Sequence, residues 1–170
     1  MNLPTTEDRD PISIGLSKKS DEDVLSLLLQ RQKDALNATE TAIPEIAKAA
    51  EALQTVTVSG GKIGYAGAGS AGLTALADCL ELPGTFGFPV ERMRMLYAGG
   101  AANLLHLAGT YEDDEEAGFA DFQKSGLGEG DILIAVSASG STPYTLGTFR
   151  GAQAAGTKTV ALANNPDTPL

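Results

Sequence analysis

The chain has 170 residues, enough for one globular domain with a real core and short for two. Hydrophobic residues at 42% and charged residues at 20% exclude global disorder. A formal charge of -10, with no Lys/Arg stripe to offset it, argues against general affinity for nucleic acid or anionic lipid. A small phosphate remains possible, because backbone N–H groups and hydroxyls can hold one without net positive charge.

Cys79 is the only cysteine and His106 the only histidine, so disulfide frameworks, thiolate metal sites and histidine-cluster metal sites are not expected. No apolar run reaches the roughly 18 residues of a membrane span. The acidic start Thr5-Thr6-Glu7-Asp8 does not read as a signal peptide, and the expected compartment is cytoplasmic, with no membrane partner.

Residues 1–19, with Pro4, Pro11 and Gly15, read as an extended or irregular arm. Ser20 then caps a helix whose first turn holds Asp21, Glu22 and Asp23, and the stripe through Val24, Leu27 and Leu28 carries it to about 41. Pro44 opens a second helix over 44–53, with Ile46, Ala49, Ala50 and Leu53 as its apolar face. After Ser59-Gly60-Gly61 the period changes, and 62–66 reads as a buried strand stopping at a glycine loop, 67–72. Leu73, Leu76, Ala77 and Leu80 return to helical spacing.

A second strand is expected over 94–98, ending at Gly99-Gly100, followed by a short helical stretch over 101–108, an acidic run over 112–116 and a helix over 117–124. The clearest strand is 131–136, running into Ser137-Ala138-Ser139-Gly140-Ser141-Thr142. Thr142-Pro143 opens a helix through Ala155, Gly156 ends it, and a fourth strand covers 159–163. Continuous apolar strands alternating with helices predict an α/β fold whose parallel sheet is covered on both faces. No internal repeat or low-complexity tract interrupts it.

Two loops then stand at carboxyl ends of strands, where open parallel sheets bind ligands. Gly67, Gly69 and Gly72 match G-x-G-x-x-G, a weak dinucleotide signal on its own. The ribose-holding acid is missing, since the second strand ends Tyr97-Ala98-Gly99-Gly100 and Glu91 lies before it. The second loop places Ser137, Ser139, Ser141 and Thr142 around Gly140, ahead of a Pro-initiated helix. Hydroxyls and N–H groups at a helix N-terminus suit a dianionic phosphate, and a simple cap would need only one such residue.

Two carboxylates compete between function and solvation. Glu81 falls at the end of the helix after the first loop, where the dipole disfavours an anion; it is either an acid with a raised pKa or an exposed glutamate, the reading ordinary solvation favours. Glu112 opens the acidic run, equally well read as a solvated helix start. His106, among leucines, is expected to be packed or capping, and Cys79 to be core. The acidic run lacks the alternating ligands and glycine of a calcium loop, so no metal is assigned.

Motifs along nearly the whole chain resemble the N-acetylmuramic acid 6-phosphate etherase family, whose members carry a sugar-isomerase (SIS) domain. In order they are Thr6-Glu7-Asp8-Arg9-Asp10-Pro11, Gly60-Gly61-Lys62-Ile63, Gly67-Ala68-Gly69-Ser70, Pro83-Gly84-Thr85-Phe86-Gly87, Ala98-Gly99-Gly100, Glu112-Asp113, Ser139-Gly140 with Thr142-Pro143-Tyr144, and Asn165-Pro166. The resemblance implies a three-layer α/β/α SIS-type domain over 56–170, preceded by an N-terminal helical arm over 1–55. It implies a lyase that removes the lactyl ether by proton abstraction beside the open-chain carbonyl and then adds water, without metal or redox cofactor. Its two acid/base glutamates fall on Glu81 and Glu112, with Glu112 expected to abstract the proton and Glu81 to protonate departing lactate, or the reverse. Gly69, Ser70, Ser137, Ser139, Gly140, Ser141 and Thr142 are the expected phosphosugar-binding residues, in a homodimer with its site near the subunit contact.

The chain also departs from that pattern. Where the family has Thr-Ser-Gly-Arg this chain has Ser70-Ala71-Gly72-Leu73, and Ser141 stands where the second loop has arginine. Each lost charge-assisted donor removes roughly 1.5–3 kcal/mol, enough to change the preferred ligand. Ser137, Ser139 and Thr142 look like the phosphate loop of SIS sugar isomerases. The chain ends at Leu170 after four readable strands, whereas the family continues through another strand, further loops and a helical tail. A non-catalytic phosphosugar sensor and an aldose–ketose isomerase are therefore the alternatives to the etherase.

Overall fold

A computed structural model describes residues 5–170, so Pro4 of the expected arm lies outside the described residues. The chain forms two compact units, one up to Glu51 and one from Ala52 to Leu170. In the first, short 3-10 turns at Thr5–Glu7, Pro11–Ser13 and Leu16–Lys18 precede α1 (Asp21–Ala38). Ser20 caps α1 by accepting from Asp23 N at 3.2 Å, and Asp21, Glu22 and Asp23 sit where the helix dipole favours anions. Arg31 of α1 bonds Asp10 at 2.8 Å and Asp34 at 2.9 Å. A further 3-10 turn, Thr39–Ala42, leads into α2 (Ile43–Val58), which outlasts the predicted end at 53.

In the second unit the order is β1 (Ile63–Gly67), α3 (Gly69–Phe86), β2 (Met93–Tyr97), α4 (Gly100–Asn103), α5 (Glu115–Ser125), β3 (Ile132–Val136), α6 (Pro143–Ala154) and β4 (Lys158–Leu162). The four strands pair in parallel in the order β2-β1-β3-β4. Alternation along the strands builds two cores. Ile63, Tyr65 and Ile132 pack with Val56 of α2 and with Ala75 and Cys79 of α3. On the opposite face Ala66, Leu96 and Leu133 pack with Phe122 of α5 and Ala152 of α6. This is the expected three-layer α/β/α arrangement, and Cys79 is buried as expected. Each fully buried aliphatic side chain contributes about 1.5–3 kcal/mol.

Several local expectations need correction. The glycine segment 67–72 is not all loop, because α3 starts at Gly69. The helix does not end at Glu81 but runs through Pro83 to Phe86, since a proline there forfeits one hydrogen bond while Phe88, buried in the core, anchors the end. Gly87 closes α3 in the left-handed conformation, with Gly87 N and Phe88 N donating to the Pro83 and Leu82 carbonyls at 3.0 and 3.2 Å. The stretch 101–108 is helical only to Asn103. His106 is exposed rather than packed, on the turn that follows. β4, expected to belong to a sheet covered on both faces, is the sheet edge and mostly exposed. No helix among the described residues is long and apolar enough to cross a membrane.

Candidate functional site

Because the sheet is parallel, β1, β2 and β3 deliver their carboxyl ends to one edge. β1 leads through Ala68 into Gly69, whose φ of +52° is a left-handed conformation that L side chains rarely adopt. A Cβ on Gly69 would stand 2.7 Å from Glu112 Oε1 and 3.2 Å from its Cδ. Hydrogen at this position therefore makes room for a carboxylate over the first turn of α3, where the dipole and free N–H groups favour an anion. Ser70 follows in that turn and is exposed.

Tyr97, at the end of β2, donates its hydroxyl to Gly69 O at 3.2 Å. Burial raises the pKa of that phenol, and the Glu112 charge adds to the rise. The backbone of Glu112 is fixed on both sides: its N–H donates to Gly109 O at 3.1 Å, and its carbonyl accepts from Tyr144 N at 2.9 Å. Upstream, the buried Asn103 donates to Ala98 O at 3.0 Å and accepts from Ala108 N at 2.7 Å, stapling the loop between β2 and Glu112.

β3 runs into the hydroxyl loop. Ser137, 1% exposed, has its Oγ 2.8 Å from Thr142 Oγ1 and 3.4 Å from Ser139 Oγ, and accepts from Gly140 N at 3.0 Å. Ser139 Oγ accepts from both the N–H and the hydroxyl of Ser141, at 3.2 and 3.1 Å. Thr142 occupies the N-cap of α6 but makes no side-chain cap bond, so its hydroxyl belongs to the loop. Thr145, in the first turn of α6, is fully buried, and its Oγ1 has no hydrogen-bond partner among the described residues. Asn165 supports the loop from behind, donating to Ser139 O at 3.2 Å.

Glu81 lies elsewhere. It is exposed, accepts from Thr85 Oγ1 at 3.0 Å, and precedes the end of α3 by more than a turn. Twelve residues of helix separate it from Gly69, roughly 18 Å at 1.5 Å per residue. The chain thus brings Glu112, Gly69 and Tyr97 together and gathers Ser137, Ser139, Ser141 and Thr142, while Glu81 stays apart. Asp114 caps α5 by accepting from Ala117 N at 2.8 Å, so part of the acidic run is a helix start. Among the described residues no cluster of His, Cys, Asp and Glu is arranged to hold a metal ion.

Tyr97, Asn103 and the Tyr144 backbone are site features that sequence reasoning missed. Tyr97 had a usable signal, a tyrosine closing a strand at the ligand edge. Asn103 and the Tyr144 N–H had none.

Comparison with known proteins agrees with the motif reading. The chain is 40% identical over 165 residues to an N-acetylmuramic acid 6-phosphate etherase of Deinococcus radiodurans, covering 97% of this chain and 54% of the relative. It is 36% identical over 172 residues to one of Salmonella agona, covering 100% of this chain and 58% of that protein. The chain therefore spans about half the length of the curated relatives it matches. Among solved structures, a phosphoheptose isomerase from Francisella tularensis superposes with a TM-score of 0.68 at 23% identity, over 87% of this chain and 79% of that one. Another from Neisseria gonorrhoeae gives 0.67 at 18% identity, over 85% and 75%, which shows a shared fold. The family model for the SIS domain matches residues 29–164, and the chain belongs to that family.

Proposed function

We propose that the second unit binds a phosphosugar, its phosphate held by the 137–142 loop, and that the chain contributes to cleavage of the lactyl ether of N-acetylmuramic acid 6-phosphate. The domain division proposed is an arm over 1–55 and a binding domain over 56–170. The observation that carries the reading is the Glu112 carboxylate poised over the first turn of α3 at the ligand edge of the sheet. There it can take a proton from the carbon beside the open-chain carbonyl. The electron pair left behind expels lactate from the neighbouring carbon, and water adds to the resulting double bond. The relatives' names support this choice of substrate.

Ser137, Ser139, Ser141 and Thr142 supply hydroxyls for the phosphate, and the Gly140 and Ser141 N–H groups shape the loop around it by donating to Ser137 Oγ and Ser139 Oγ; Gly69 and Ser70 line the opposite turn. Glu81 can protonate the departing lactate only where a second copy of the chain brings it to the site, which makes a homodimer part of the reading. A second reading rests on the same separation of the two carboxylates: a lone protomer with one base suits aldose–ketose isomerisation or simple phosphosugar sensing.

The experiment is D-lactate release from N-acetylmuramic acid 6-phosphate by the wild type and by Glu112→Gln. The expected loss in the variant is about 10²–10⁴-fold, with substrate still raising Tm. Near-normal release by the variant overturns the assignment. Ketose formation, or binding without turnover by the wild type, selects the second reading.

A further inference from the structure

We infer that phosphate in the 137–142 loop sets the position of Glu112, and that Tyr144 is the positioning residue that transmits it; this rests on the phosphosugar reading above. α6 begins at Pro143, which has no N–H, so the first backbone donor of the helix belongs to Tyr144. That donor is directed to Glu112 O at 2.9 Å. Thr142 is tied to Ser137 through its hydroxyl at 2.8 Å, and its carbonyl accepts from Leu146 N at 3.0 Å. A group gripping Thr142 and its neighbours therefore holds the first turn of α6, and with it the donor that fixes Glu112.

The connection is stiff because α5 and α6 pack backbone against backbone. A Cβ on Gly118 would collide with the Tyr144 carbonyl oxygen, and one on Gly147 with the Glu115 carbonyl oxygen. Such contact leaves no side-chain layer to absorb a shift. Tyr144 OH also donates to Asp121 Oδ2 at 2.9 Å, and Arg150 pairs with Glu115 at 2.8 Å. Glu112 lies three residues before α5, its carbonyl held by α6 and its carboxylate against Gly69. A displacement of the start of α6 is thus delivered to the carboxylate rather than lost in a flexible loop. The phosphate then contributes to turnover as well as to affinity, and a sugar lacking it loses kcat along with KM.

The test is residue-resolved amide hydrogen exchange on the full chain, with saturating inorganic phosphate as the probe. The expected result is exchange slowed at least about threefold at Gly140 and Ser141, and also at Tyr144 and Glu112. Protection confined to 137–142 overturns the coupling and leaves the phosphate loop standing. No protection anywhere overturns the phosphate reading, and the coupling with it. In Gly147→Ala, which forces α5 from α6, protection at the loop is expected to persist while that at Tyr144 and Glu112 disappears; undiminished transmission overturns the inference. Should that variant not fold, a phosphate titration of the wild type decides: protection at Tyr144 and Glu112 that fails to rise in step with that at Gly140 overturns the inference.

Discussion

Glu112 Oε1 occupies the space where a side chain on Gly69 would begin, 2.7 Å from the position of its Cβ. The turn that starts α3 and the candidate base are thus fitted to each other, with Tyr97 OH holding the Gly69 carbonyl from the side. Gly69→Ala tests the fit. An alanine at φ +52° costs about 1–2 kcal/mol of backbone strain, and its methyl must displace a carboxylate whose far end can swing away. Denaturant unfolding should therefore show a loss of that size. Lactate release should fall further, by about 10²-fold, because a base moved by an ångström acts poorly. Equal and small losses in both would mean that the close approach has no part in the reaction.

Thr145 lends itself to a cleaner separation of stability from binding. Its hydroxyl is buried without a partner among the described residues, so it carries a desolvation penalty of about 1–3 kcal/mol that none of them offsets. Thr145→Val keeps the shape and removes the penalty. The variant should unfold at higher denaturant by about 1 kcal/mol. If the hydroxyl serves the bound phosphate, the same change should weaken protection by glucose 6-phosphate in a thermal-shift titration. A variant that is less stable than the wild type would show that Thr145 has a partner in solution.

The strands were legible because each is a short apolar run ended by Gly, Ser or Asn, and the sheet follows from four such runs separated by helices. The hydroxyl loop was legible for the same reason, as a cluster of one chemistry at one strand end. Placing Glu81 at the end of α3 was wrong because the helix runs on through Pro83, held by the tertiary anchor that Phe88 provides beyond it. His106 misled because neighbouring leucines do not imply burial: Leu105 itself is 81% exposed. The contact between Glu112 and Tyr144 was invisible, since a backbone-to-backbone bond between distant segments writes nothing into side-chain patterns. The distance from Glu81 to the first turn of α3 was available in principle from helix rise, provided the helix was allowed to run through Pro83.

Stability should fall in alkali. Burial, with the Asp78 charge as a second cause, pushes the Cys79 thiol from 9.0 to about 11. Burial and then a hydrogen bond to a carboxylate push the Tyr65 and Tyr144 phenols up as well, Tyr65 through Asp78 at 2.5 Å and Tyr144 through Asp121 at 2.9 Å. All three groups hold their protons more tightly folded than unfolded. Their contribution is complete below the unfolded value, 9.0 for the thiol, and is lost as pH rises toward the folded value of about 11. Urea unfolding at successive pH values should be flat with respect to these groups to about pH 9 and then decline, the thiol accounting for on the order of 2 kcal/mol. Cys79→Ala should delay the onset of the decline to the tyrosine range; an unchanged profile would remove the thiol from the account.

The position of Glu81 yields the sharpest prediction about assembly. Within one protomer it sits roughly 18 Å along α3 from the turn that Glu112 covers, too far for both carboxylates to flank one sugar ring. If Glu81 takes part, it acts in the site of a neighbouring copy. Glu81→Gln and Glu112→Gln should each be nearly inactive alone, yet regain lactate release when the two chains are mixed and allowed to exchange. A mixed dimer then holds one site with both native carboxylates and one with neither, and random mixing predicts about a quarter of the wild-type rate. Recovery of that size places Glu81 in the partner's site. If Glu81→Gln alone keeps full activity, the exposed glutamate is solvated surface and the reaction relies on another acid; if both variants are dead and mixing restores nothing, action across a subunit contact is excluded.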